Sequence, residues 1–164
     1  GPLSTEKPHT IIINPDPTKC YPAPCSTVTL KKEGSTTIIN DKDIKVETSL
    51  PLEVENNKIK VSDREIILPT EAEKVVKTYS FQSGILPTKI TKMSLAKCQP
   101  KEGPQPPCDE NTSVYQIEVE KETKLLNVIP IKAKVDYQVN ATNGQVVTEN
   151  KPWYLQNIPF LFKI

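Results

Sequence analysis

Histidine is nearly missing from this chain. The single one, His9, leaves no base for a serine or cysteine nucleophile, and the Ser-His and Cys-His mechanisms fall away with it. Arginine is as scarce. Only Arg64 among 21 basic residues is an arginine, which removes most of the bidentate contacts to phosphate and guanine. Five glycines, none in a phosphate-cradling pattern, exclude a P-loop or a dinucleotide fingerprint. An excess of one charge is also absent: 21 Lys plus Arg stand against 20 Asp plus Glu, so neither a nucleic-acid face nor an acidic tail is written in the composition. No apolar run approaches the roughly 20 residues that span a bilayer. The expectation is a protein with no catalytic residues, cofactor, metal or nucleic-acid partner, and with no transmembrane segment in this chain.

What is there points to strands and loops. Sixteen prolines in 164 residues, with a modest apolar content of 36%, suit a loop-rich β domain better than a helical bundle. Gly1 to Ser4 look like the remnant of a cleaved tag and are set aside. Four cysteines form two local pairs. Cys20 and Cys25 flank Tyr-Pro-Ala-Pro, and Cys98 and Cys108 bracket a proline-stiffened loop. Four cysteines allow three connectivities, and we favour the two local bridges. A structural zinc site is the rival, but only Cys20 and Cys25 fall at the edge of its spacing. Bridges imply an oxidising compartment: secreted, periplasmic or cell-surface. Sequons at Asn111 and Asn140 are compatible with export as glycosylation acceptors.

The organisation read along the chain is a proline-rich arm (5–26), a β-meander (27–68) and an α+β region (69–164), with 27–164 expected as one continuous domain. The arm is either an ordered segment or a linker from an anchor. In the meander, Ile44, Val46 and Thr48 share a face that Leu50, Leu52 and Val54 continue, and Pro51 marks an edge or bulge. Asn56-Asn57 is a turn pair tolerant of left-handed backbone. One helix of roughly ten residues starts at Thr70, capped by its own hydroxyl and by Glu73, with Ala72, Val75, Val76 and Tyr79 as its apolar stripe. Residues 88–97 form a strand with an irregularity near Ile90. Tyr115, Ile117 and Val119 line the inward face of the next strand, and 123–128 is ambiguous. From Ile129 to Val139 the alternation is unbroken, and Asn143-Gly144 turns the chain back.

Few residues invite chemistry. Glu118, Glu120 and Glu122 share one strand face, either as a carboxylate site or as a solvated row among lysines. Asp41 and Asp43 form an Asp-x-Asp turn that calcium could use. Trp153, Tyr154, Phe160 and Phe162 concentrate the aromatics in the tail, either to close the core or to contact a partner.

Residues 68–149 resemble a PepSY-type domain. The cues are Pro69-Thr-Glu-Ala-Glu-Lys-Val-Val, Val114-Tyr-Gln-Ile-Glu-Val and the turn Asn140-Ala-Thr-Asn-Gly-Gln-Val. The chain departs from the pattern by Asn at 140, an extra residue at 143 and the inserted cysteine loop. The phrase from Val46 to Asn56, with the later Ile-Pro-Ile-Lys and Lys-Pro-Trp, resembles exported proteins of prokaryotes, archaea included. What the resemblance implies is an exported, non-catalytic module, with relatives in protease pro-regions. The expected fold is α+β: an antiparallel sheet packed on one main helix, preceded by the meander. The expected role is an exported or cell-surface binding module that engages a protein partner through a sheet edge or the 98–108 loop. The alternative is a peptidase inhibitor or an intramolecular chaperone.

Overall fold

A computed structural model of the chain describes residues 9–19, 27–82, 89–99, 109, 111–126, 128–152 and 162–163. The first strands are β1 (His9–Ile13), β2 (Val28–Glu33), β3 (Thr36–Asp41) and β4 (Ile44–Thr48). Successive members of this set pair antiparallel. Gly34 at φ 62° and Lys42 at φ 56° supply the left-handed residues of the two tight turns.

The chain then leaves this sheet. Thr48 Oγ1 donates to the Leu95 carbonyl at 2.7 Å and accepts the Leu50 N–H at 3.0 Å, and Pro51 has no N–H to offer a ladder. The expected continuation through Leu50, Leu52 and Val54 is therefore corrected. Beyond the break, β5 (Glu53–Glu55), β6 (Lys58–Val61) and β7 (Arg64–Glu65) form a separate three-stranded sheet. Asn56 and Asn57 are both left-handed in its first hairpin.

Helix α1 (Pro69–Gln82) follows, then β8 (Lys89–Lys97), β9 (Ser113–Leu125), β10 (Ile129–Asn140), β11 (Val146–Asn150) and the short β12 (Phe162–Lys163). The main sheet runs β1-β2-β3-β4-β8-β9-β10-β11, with β12 flanking β9. Strand β4 lies parallel to β8, Val46 opposite Met93 and Thr48 opposite Leu95. The register slips between Ile90 and Lys92, at the irregularity expected near Ile90.

These observations overturn the α+β expectation. Among the described residues strands hold 59% against a single short α-helix, and the main sheet is mixed rather than antiparallel. The meander does not stand before the sheet as a unit: β2 to β4 extend the main sheet, and β5 to β7 form the small one. Alternation along a strand shows which face is dry, but it carries no information on which edges meet. The β4–β8 pairing joins positions 47 residues apart and leaves no local trace.

One cluster of buried side chains unites the layers. Ile13, Val28, Ile39 and Val46 from the first strands meet Tyr115, Ile117, Val135 and Tyr137 from the last, with Ile59 and Val61 from the small sheet. The helix lays Ala72, Val76 and Ser80 into it, all fully buried at four-residue spacing, while Tyr79 stays 38% exposed. Its capping also differs from expectation. The helix begins at Pro69, a residue earlier than expected, and Asp41 from the end of β3 accepts both the Thr70 N–H (3.0 Å) and the Thr70 hydroxyl (2.8 Å). Glu73 instead pairs with Lys77 at 3.0 Å.

Candidate functional site

Strand β1 pairs with β2 on one side, and no described residue pairs with its other side. The sequence makes that edge inviting. His9-Thr-Ile-Ile-Ile13 carries no proline and no lysine, the devices that guard natural edges. Ile13 is fully buried and anchors the strand, whereas Ile11 is 44% and Ile12 61% exposed. Neighbouring residues of a strand point to opposite faces, so the edge shows apolar surface above and below its backbone. An extended segment laid beside β1 would find hydrogen-bonding positions and two aliphatic side chains.

The titratable groups are arranged otherwise. Lys121 occupies the inward row after Tyr115, Ile117 and Val119, and it is 1% exposed. Its Nζ donates to Tyr137 Oη at 2.5 Å, and the Ser80 hydroxyl lies 2.8 Å from the same oxygen. Glu149 stands opposite Tyr137 across the β10–β11 ladder and holds Lys151 at 3.1 Å. Burial lowers the Lys121 pKa to about 8, with Glu149 opposing that fall and Lys151 adding to it. Burial also pushes the Tyr137 hydroxyl well up, opposite to what a phenolate base needs. Ser80, Lys121 and Tyr137 are all buried, and this Ser-Tyr-Lys cluster ties α1, β9 and β10 together. The one sequence signal for a buried Lys121 is its parity with Tyr115, Ile117 and Val119.

Two hollows hold polar side chains. A cleft of 490 Å³ between the chain after β1, the β5–β6 turn and the start of α1 is lined in part by Asp16, Glu65 and Glu71. No group of three or more His, Cys, Asp or Glu among the described residues is arranged to hold a metal. The second, of 440 Å³, lies on the polar face of the sheet between Lys92, Gln116, Glu118 and Gln138. On that face Glu118 reaches Lys134 at 3.9 Å and Glu120 reaches Lys132 at 3.8 Å, the cross-strand ion pairs of a solvated row. Asp41 caps the helix and is 3% exposed.

The other expected site residues scatter. Cys98 is buried at 2%, and no cysteine among the described residues is free. Cys20, Cys25 and Cys108 lie outside the described residues. Asn111 is exposed ahead of β9. Asn140 Oδ1 accepts the N–H groups of Thr142 (2.8 Å) and Asn143 (3.2 Å), holding the turn that Gly144 completes at φ 74°. Phe162 sits in β12 opposite Leu125; Trp153, Tyr154 and Phe160 lie outside the described residues. No helix among the described residues is long and apolar enough to cross a membrane.

No family model matches the chain, and neither a curated protein nor a solved structure does.

Proposed function

We propose that this chain is a non-enzymatic, exported or surface-facing binding module that takes an extended segment of a protein partner beside β1. The observation that carries the reading is the unguarded edge of β1, with Ile11 and Ile12 exposed on it. The burial of the Ser80–Tyr137–Lys121 cluster supports a binding rather than a catalytic role. The PepSY-type resemblance belongs to the same proposal. Its order of elements is the order of α1, β8, β9, β10 and β11. Backbone hydrogen bonds would supply affinity, and alternate side chains would supply selectivity.

Selection of extended peptides displayed on phage, panned against the intact protein, tests this. Binders with alternating β-branched residues are expected, and Ile12→Lys should weaken them at least tenfold by placing a charge on the docking surface. Binders indifferent to Ile12→Lys would remove the edge from consideration. Peptidase inhibition uses the same edge, since inhibitors also lie extended in a cleft. A peptidase panel in which inhibition disappears with Ile12→Lys would identify the partner class as a peptidase.

A further inference from the structure

We propose that the tip of the β9–β10 hairpin is a membrane-surface contact that sets Leu126, Val128 and Ile129 shallowly among the headgroups of an anionic phospholipid bilayer. Tight hairpin turns favour glycine, asparagine and aspartate, which accept left-handed backbone and water. Here Leu126 adopts φ 54°, a conformation that the leucine Cβ disfavours. It is nonetheless 60% exposed, and Val128 and Ile129 are 76% and 51% exposed. A strained backbone that displays aliphatic side chains to water adds nothing to the isolated fold, and such breaches of local rules gather at functional sites.

Among the described residues, strand β8 reaches only Glu120 of β9, and β11 reaches only Asp136 of β10. Beyond those points the described strand partner of the hairpin is β12, at Lys124 and Leu125. A bilayer accepts an apolar hairpin end without a matching cavity. Charge points the same way. Beyond Glu122, which stands opposite Lys132, the hairpin carries Lys124 and no carboxylate up to Val135. Lys124 is exposed beside the tip; Lys132 and Lys134 pair with Glu120 and Glu118 at 3.8 and 3.9 Å, but their side chains stay 66% and 68% exposed. A basic collar behind an apolar end complements anionic headgroups.

This surface is independent of β1. Five strand steps separate β1 from β9 in the sheet, roughly 24 Å at the usual ~4.8 Å spacing.

Co-sedimentation of the full chain with vesicles tests the proposal. Vesicles containing phosphatidylglycerol in phosphatidylcholine should bind the protein, and phosphatidylcholine alone should bind it far less. High salt should weaken the interaction. Leu126→Asp with Val128→Asp should lower partitioning at least tenfold, and both positions are exposed enough that the melting curve should stay unchanged. Lys124→Ser should cost about fivefold, the effect of one lysine near an anionic surface. Ile12→Lys should leave vesicle binding intact, which separates this result from any failure of the β1 reading. Wild-type protein that ignores both vesicles would overturn the proposal and assign the tip to a protein partner. Equal binding to neutral vesicles, or undiminished binding by the double variant, would overturn it as well.

Discussion

Lys121 sits where an apolar side chain would serve the core better. Its ammonium has Tyr137 Oη as acceptor and Glu149 nearby, but burial dominates and lowers its pKa from 10.5 to about 8. The sign follows from linkage. Below pH 8 the lysine is charged in both folded and unfolded chains, and the folded state bears the full cost of burying the charge. Between pH 8 and 10.5 the folded lysine is neutral while the unfolded one still holds its proton, so stability rises with pH. Above 10.5 the penalty is gone. Lys121→Met should therefore stabilise the protein at pH 7 by about 1–3 kcal/mol, the usual gain on replacing a buried charge with an apolar side chain. Denaturant melts from pH 7 to 10 should show the gain shrinking as pH climbs. A constant difference across that range would mean that the lysine does not change protonation there.

Helix α1 shows what an element borrows from its surroundings. Thr70 and Glu73 carry the pattern of a self-sufficient cap, yet Asp41 makes the bonds to Thr70 from 29 residues upstream. A carboxylate meeting the helix N-terminus is favoured by the exposed N–H groups and by the helix dipole. Asp41→Ala should cost about 2 kcal/mol, and Asp41→Asn, which keeps an acceptor, about half that. Urea melts would measure both, and a neutral Asp41→Ala would return the cap to Thr70 itself. The contrast shows what can be read locally. The parity of Ile129 to Val139, the slip near Ile90 and the left-handed Asn56-Asn57 pair depend on neighbours in sequence, and all were legible. The break after Thr48, the role of Asp41 and the union of β4 with β8 depend on residues that meet only in space, and they were not. The candidate surfaces follow the same division. The place of Thr10 to Ile13 at an edge is a property of the sheet. The mostly apolar stretch from Leu125 to Ile131 gives no hint by itself that it closes a hairpin with exposed aliphatic side chains.

The whole molecule hangs on one sheet. Val46 is fully buried in β4, at the seam between the early strands and the late ones. Val46→Ala should destabilise by about 2 kcal/mol through lost apolar contact and the void left behind. Because the sheet and its core cluster are continuous across that seam, the loss should appear equally in amides of β2 and β10 by native-state hydrogen exchange. Selective loosening of β2 would show that the two parts open separately.

The parallel seam also orders events in time. The first four strands can zip together as soon as they emerge, each pairing with its neighbour in sequence. Strand β4 must then wait for Met93 to Leu95, so a nascent chain carries an exposed flank through the making of the small sheet and the helix. Closing so long a loop is entropically slow, and an uncovered flank attracts other chains meanwhile. Refolding at high protein concentration should therefore aggregate most before β8 docks, and a chain truncated after Gln82 should precipitate where the full chain stays dissolved.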